Sequence, residues 1–377
     1  MSKKNKHLLL LGICSLLLVV IFYYKNSVLN SSRREPVSLH QVDIIFSNDG
    51  LYHGNFSTIE ELNELIDNAC KKEGSKFIFN DDVIIVDYPI EINNCDNLEI
   101  YGNNTRLIFP TNDLRNITLL QDVHQSDQSI LVSDSSQFSL KKNYQIYSPS
   151  GEGDRLLEFQ VNSIENNKIN LENPVKYMSH VKSIPSNSKV IKELNFFKIS
   201  KSNGILIKNF ELDGLNVGNV NGHTIYSGIL FEDDFNKVRK TKKYHSSNLT
   251  IDNCEFINLK GRAVAIYAVK DVIIQNSNAT NISQEAFELD HLSTGKITNN
   301  HITNARVGIQ LNDAYNSVVS GNSLNNVAIG VNIITHFDNE WLNTDNVVSE
   351  NFISAKNSGV WFGEYAKQCN RKQSISQ

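Results

Sequence analysis

Residues 272–316 read VIIQNSNATNISQEAFELDHLSTGKITNNHITNARVGIQLNDAYN, and the pattern in this stretch recurs before and after it at nearly constant spacing. A small residue followed by alternating side chains stands at Gly228 (GILFE), Ala263 (AVAIY), Ala286 (AFELD), Gly308 (GIQLN), Gly330 (GVNII) and Gly359 (GVWFG), in steps of 35, 23, 22, 22 and 29 residues. Eight to ten residues upstream of the last five runs lies a second register: Ile251-x-x-Cys254-x-Phe256, Ile273-x-x-Asn276, Ile297-x-x-Asn300-x-Ile302, Val319-x-x-Asn322-x-Leu324 and Val348-x-x-Asn351-x-Ile353. A fixed period in the low twenties, with strand-like alternation and no helix between strands, predicts that each unit is one coil of a solenoid. Stacking coils about 4.8 Å apart pairs each strand with those above and below. It also builds one interior from Val264/Ile266, Phe287/Leu289, Ile309/Leu311, Val331/Ile333 and Val360/Phe362. Asn276, Asn300, Asn322 and Asn351 then stack as an amide ladder.

Coils of about 22 residues written I-x-x-N-x-Φ … G-Φ-x-Φ resemble the right-handed parallel β-helix of the pectate-lyase-like superfamily. The resemblance covers residues 200–368 and, through a second signature, 51–110. Leucine-rich repeats share the period but need Leu-rich consensus positions that this chain lacks. The expected fold is all-β: a single-stranded right-handed parallel β-helix with an N-terminal capping helix, a β insertion and an N-terminal transmembrane anchor.

The chain has 377 residues, 40% apolar and 20% charged, ample for a large core. A net charge of −5 argues against a nucleic-acid partner. Lys3, Lys4 and Lys6 precede an uncharged run, Leu8–Tyr24, whose 17 residues reach roughly 25 Å, the short end of a bilayer span. No small-x-small cleavage site follows, so an uncleaved signal anchor is expected, with the N-terminus cytoplasmic and the β-helix extracytoplasmic. The expected organisation is a cytoplasmic tail at 1–6, the anchor at 7–25 and a linker at 26–50. Then come the capping helix and first coils at 51–110, a β insertion at 111–195, the main body at 196–368 and a tail at 369–377. Five cysteines do not make a disulfide framework, although Cys70 and Cys95 could pair.

Ser57-Thr-Ile-Glu-Glu-Leu opens a helix with a capping box, and Gly74 closes it; Leu62, Leu65, Ile66 and Ala69 form its apolar face. A helix and short strands in this order resemble the N-terminal cap of pectate-lyase-like proteins, and an uncapped solenoid end would expose its interior. Residues 129–195 break the period and read as antiparallel hairpins turning at Glu165-Asn166-Asn167. A charged loop, residues 233–245 (DDFNKVRKTKKYH), is placed to overhang the face that carries the candidate site.

Within each G-Φ-x-Φ-x unit the second and fourth residues face the core, so the third and fifth face outward. The third positions read Leu230, Ala265, Glu288, Gln310, Asn332 and Trp361; the fifth read Glu232, Tyr267, Asp290, Asn312, Ile334 and Gly363. Around Glu288 and Asp290 gather Glu285 and His291 from the same coil, Arg262 and Tyr267 from the coil before, and Arg306, Gln310, Asn312 and Asp313 from the coil after. His336 could overhang the same groove. Three carboxylates within one turn repel unless Arg262, Arg306 or a cation offsets them, an arrangement that marks sites more often than surfaces.

Within the resembled superfamily, the middle of this groove binds and cuts or isomerises polysaccharide. Phe287-Glu288-Leu289-Asp290-His291 is similar in place to the F-D-P-H segment of alginate C5-epimerases, with Glu for Asp and without Pro. Gln284-Glu285 and Arg306-Val307-Gly308 stand where polygalacturonase-type hydrolases carry D-D and G-H-G. Glu288, Asp290, Asp313 and Arg306 compare with the acids and Arg base of calcium-dependent pectate lyases, making Asp313 with Asp290 a possible Ca site. The expectation is a membrane-anchored C5-epimerase or lyase acting on a uronate-containing polysaccharide. Glu288, Asp290, His291 and Tyr267 are its catalytic candidates; Arg262, Arg306, Gln310, Asn312 and Glu285 are its substrate-binding candidates. An inverting glycoside hydrolase and a non-catalytic glycan-binding scaffold remain alternatives.

Overall fold

The computed structural model describes residues 39–46, 50–72, 74–110, 117–147, 157–175, 183–217, 227–335, 345–363 and 370–371. One stack of short parallel strands runs Lys76–Phe79, Glu99–Tyr101, Asn203–Lys208, Ser247–Asp252, Val272–Gln275, Gly295–Thr298, Val318–Ser320, Val347–Ser349 and Asn370–Arg371. A second runs Ile90–Asn93, Phe197–Ser200, Ile229–Glu232 and Val264–Tyr267, and passes into the long strands Asn278–Asp290, His301–Asn312, Ser323–Ile334 and Phe352–Phe362. The first parts of the long strands also extend a row that begins Val83–Ile85, Arg106–Ile108, Glu211–Asp213 and Glu255–Ile257. Late coils therefore turn one corner within a single strand.

The two expected interior columns are in register, Val264 through Phe287, Ile309 and Val331 to Val360, and Ile266 through Leu289, Leu311 and Ile333 to Phe362. All are buried except Val360 and Phe362 on the last of these coils, which are partly buried. Close backbone approach explains the glycine that opens two of the runs: a Cβ added at Gly228 would run into the carbonyl oxygen of Ala263, and one at Gly330 into that of Gly359.

The amide ladder forms with one correction. Asn300 Nδ2 donates to Asn322 Oδ1 at 3.0 Å and Asn322 Nδ2 to Asn351 Oδ1 at 2.8 Å. The preceding rung is Ser277, whose backbone N–H donates to Asn300 Oδ1, and not Asn276. The strand Val272–Gln275 buries Val272 and Ile274 and turns Ile273 outward, so the phase read from Ile273 is one residue early. Asn276 instead takes a left-handed turn (φ 53°) and donates to Asp252 Oδ1 at 2.9 Å. A further asparagine row, Asn258, Asn281, Asn304 and Asn326, occupies left-handed turn positions and bonds from coil to coil.

The helix Ile59–Cys70 closes the N-terminal end, capped by Thr58, whose side chain accepts from the Glu61 N–H, while Glu61 Oε2 accepts from Ser57 N–H. Ile59, Leu62, Ile66 and Ala69 are buried beneath it. Residues 40–46, expected within a linker, form a strand paired with Gly50–Phe56 and Lys76–Phe79, because Val42 and Ile44 alternate inward. Cys70 and Cys95 form a disulfide that ties the helix end to the second coil. Between the early coils, six antiparallel strands from Ile117–Thr118 to Lys189–Lys192 enclose their own core, with the hairpin turning at Asn166-Asn167 as expected. The expected anchor at 8–24 and His336 lie outside the described residues. Among the described residues no helix is long and apolar enough to cross a membrane.

Candidate active site

Strand register carries the outward residues into two columns on one face. The first runs Glu91, Lys198, Leu230, Ala265, Glu288, Gln310, Asn332 and Trp361; the second runs Asn93, Ser200, Glu232, Tyr267, Asp290, Asn312 and Ile334. Immediately after the second column the chain turns, and Asn94, Lys201, Ala268, His291 and Asp313 all take left-handed backbone conformations with φ between 47° and 58°. The conformation costs most residues other than Gly, Asn and Asp some energy, and here it recurs along the row, at Lys201 and Ala268 as well as at His291.

The expected constellation assembles, but it is sealed. Glu288 is fully buried and Asp290, Glu285, Gln310, Asn312 and Arg262 are each less than a tenth exposed. The expectation that the third and fifth positions face solvent is therefore corrected at these coils. The reason is mutual satisfaction: side chains one coil apart bond to one another instead of to water. Arg262 Nε lies 2.9 Å from Glu285 Oε2 and 2.7 Å from Glu288 Oε2, and Arg262 Nη1 donates to the Tyr267 hydroxyl at 3.1 Å. The Tyr267 hydroxyl donates to Glu288 Oε2 at 3.3 Å, and Gln310 Nε2 to Glu288 Oε1 at 2.5 Å. Asn332 continues the ladder by donating to Gln310 Oε1 at 2.7 Å. Arg306 pairs with the other oxygen of Glu285. In the second column Asn312 Nδ2 donates to Asp290 Oδ2 at 3.0 Å, and Asp290 Oδ1 lies 2.6 Å from His291 Nδ1.

What reaches solvent is a narrower set. Tyr267 is half-buried, the His291 side chain is 28% exposed and the Arg306 side chain 52%. The Tyr267 and His291 rings lie 5.3 Å apart at 68°, and Phe235 packs edge-on against His291 at 4.4 Å. Phe235 opens the short helix Phe235–Thr241 of the charged loop, which does overhang this face. Val238 seats that helix against Ala268 and Leu292, and the Tyr244 hydroxyl bonds Leu292 O at 2.6 Å and lies 2.9 Å from the Tyr315 hydroxyl.

Burial and charge separate the roles of these groups. Burial pushes the Glu288 carboxyl up to about 8; Arg262 opposes this, while the charges of Asp290 and Glu285 reinforce it. Burial also holds the Tyr267 phenol well above its ordinary value, with Arg262 opposing. Burial pulls the His291 imidazole down, but its contact with Asp290 outweighs this and leaves it raised. The repulsion expected among three carboxylates is thus relieved by two arginines and by a proton favoured on Glu288.

Asp313, expected to hold a cation with Asp290, is buried in the left-handed turn that follows Asn312. Both Asp290 oxygens already face His291 and Asn312, and among the described residues no three His, Cys, Asp or Glu side chains group as metal ligands. Calcium takes six to eight oxygens, more than Asp290 and Asp313 supply by themselves. Sequence reading missed a second charged group on the same columns. Lys198 Nζ lies 2.8 Å from buried Glu193 and 3.7 Å from Glu232, whose side chain is 41% exposed. Its signal was present in Glu232, but the coils before Gly228 are interrupted by the insertion, so Glu193 and Lys198 could not be phased from spacing.

Residues 242–372 match a family model described as a right handed beta helix region. No curated protein matches the chain. Similar solved structures include a double mutant of the periplasmic alginate epimerase AlgG, 12% identical with a TM-score of 0.32, covering 48% of this chain and 42% of that one. An exopolygalacturonase from Thermotoga maritima is 12% identical, with a TM-score of 0.44 over 85% of this chain and 75% of that one. The tailspike of Pseudomonas phage phi297 is 8% identical, with a TM-score of 0.25 over 75% and 64%. This chain thus spans less than half the length of the epimerase. The family match and the coil registers agree on the architecture: within residues 242–372 the chain is a right-handed parallel β-helix.

Proposed function

We propose that this face acts on a uronate-containing polysaccharide by removing the proton at C5, as a C5-epimerase or a lyase. One observation carries the reading: Tyr267 and His291 sit side by side at the half-open surface, 5.3 Å between ring centroids, each backed by its own buried carboxyl group, Glu288 and Asp290. Both groups are raised, but from ordinary values far apart, so above the imidazole's own transition His291 is neutral while Tyr267 keeps its proton, the division that an acid–base pair needs. With Nδ1 turned to Asp290, His291 Nε2 takes the C5 proton. The electron pair moves into the substrate carboxylate, whose charge Arg306 offsets. Tyr267, held protonated, then returns a proton. Delivery to C5 from the opposite face inverts that carbon; delivery to the departing O4 breaks the glycosidic bond and leaves a C4–C5 double bond. Arg262 is buried against Glu285, Glu288 and Tyr267, so it orients the phenol and does not hold substrate. The inverting-hydrolase alternative needs water between Glu288 and Asp290, and their burial argues against it.

The test is incubation of the full chain with alginate and with polygalacturonate in deuterated water. A lyase produces ultraviolet absorbance from the unsaturated uronate, and an epimerase incorporates deuterium at C5 without shortening the chain. His291→Ala and Tyr267→Phe should each abolish the signal. Turnover unchanged in both variants overturns the assignment.

A further inference from the structure

Beside the helix Phe235–Thr241 lies an open cavity of about 420 Å³, lined by Asn94, Lys201, Asp233, Asp234, Lys237 and His245. Its size falls in the range of ligand sites, roughly 300–1,000 Å³. Two of its walls belong to the same row of turns that presents His291: Asn94 and Lys201 each follow a strand of the site-bearing sheet and share its left-handed conformation. The third wall is the loop that packs Phe235 on His291.

Charge in this cavity is unevenly engaged. Asp233 accepts from the Asp234 and His245 backbone N–H groups, at 2.7 Å each, and Asp234 accepts from the Lys237 N–H at 3.0 Å. Both carboxylates are thus turned to the loop's own backbone. Among the described residues, neither Lys201 nor Lys237 has a carboxylate within ion-pair distance, and His245 and Asn94 add further polar groups. Two lysines without an ion-pair partner among the described residues thus line one open cavity whose two acids are occupied by backbone N–H groups, so the groups left to meet a ligand there are cationic.

We propose that this cavity is a second saccharide subsite, in which Lys201 and Lys237 hold the carboxylate of a uronate residue upstream of the reacting one. The proposal rests on the reading that the protein acts on a polyuronate. Lys201 and His291 are three coils apart, through the registers Ser200, Glu232, Tyr267 and Asp290, or about 14 Å at the spacing of neighbouring strands. An oligomer must therefore be several units long to occupy both places, and length dependence becomes the signature.

The experiment compares the full chain with a Lys201→Asn/Lys237→Gln double variant, Asn being chosen because it tolerates the left-handed turn. Equilibrium binding of galacturonate dimer and hexamer, and of a neutral galactose hexamer, is measured on a His291→Ala background to prevent turnover. The double variant should bind the acidic hexamer at least tenfold more weakly, bind the dimer unchanged, and regain hexamer affinity as Lys201→Arg/Lys237→Arg. Equal hexamer affinity in parent and double variant overturns the subsite, as does equal affinity of the parent for acidic and neutral hexamers. Lysine-dependent hexamer binding without turnover by the wild-type chain would uphold the subsite and remove the reaction assignment. Normal turnover with lysine-independent binding would do the reverse.

Discussion

Asp290 Oδ1 lies 2.6 Å from His291 Nδ1, although the two residues are neighbours in sequence and the second is held at φ 50°. In extended strand, successive side chains point to opposite faces. The left-handed turn at His291 breaks that alternation and brings the imidazole back beside the carboxylate that precedes it. The pair therefore exists because the backbone is strained.

That strain gives the first prediction. Asparagine relieves a left-handed conformation that costs most residues about 1–2 kcal/mol. His291→Asn should therefore keep stability within about 1 kcal/mol of the parent, the loss of the Phe235 contact being offset by backbone relief. Activity on a polyuronate should be lost. Thermal melts beside rate measurements check both, and an unfolded variant would make His291 a structural residue.

The same pair sets a pH dependence. A base must be neutral to accept a proton, so the rate should rise with pH through a transition above the ordinary imidazole value of 6.5. Asp290 favours the charged imidazole, so Asp290→Asn should move that transition to lower pH. A transition unmoved in Asp290→Asn would show that some other group titrates.

Arg306 is half-exposed and pairs only one oxygen of Glu285, whose other oxygen faces Arg262. Arg306→Gln should raise KM and lower kcat on polyuronates without unfolding the coil, and its effect should vanish on no substrate that carries a carboxylate. Kinetics indistinguishable from the parent would remove Arg306 from the substrate's path.

Period and phase made the interior legible: Leu311 was placed inward and is buried, with Leu289 and Ile333 as its neighbours. The ladder is legible where the apolar anchors Ile297 and Val319, each followed by a polar residue, fix the phase of Asn300 and Asn322, and it slips at Asn276, where adjacent Ile273 and Ile274 allow either phase. Solvent exposure was not legible. Whether an outward residue meets water depends on its neighbours one coil away, more than twenty residues distant in sequence, and on how the loop 233–245 folds back. Gln310 shows the consequence. Read as a surface residue, it should tolerate glutamate; seen against Glu288 at 2.5 Å and Asn332 at 2.7 Å, it should not. Gln310→Glu places a second carboxyl against a buried one and should destabilise by several kcal/mol, approaching Leu311→Asp. A melt of Gln310→Glu within about 0.5 kcal/mol of the parent, the usual surface value, would contradict the buried ladder.

Glu288 makes the last prediction, through linkage. Its carboxyl is raised from 4.5 to about 8 by burial, against the pull of Arg262. Between these values the unfolded chain has released the proton while the folded chain still holds it, so the folded state binds more protons and stability falls as pH rises. The contribution is fully present below about 4.5 and is lost by about 8. His291 acts in the same direction: its raised value favours the fold below the ordinary imidazole value, and that gain disappears as pH climbs past its folded value. The melting temperature should therefore decline from pH 5 to pH 9. In Glu288→Gln the amide still accepts from Tyr267 and cannot ionise, so the decline should shrink, while the smaller part due to His291 persists. A parent whose melting temperature rises across this range would mean that Arg262 holds Glu288 ionised throughout, and the acid–base division between Tyr267 and His291 would then need a different source.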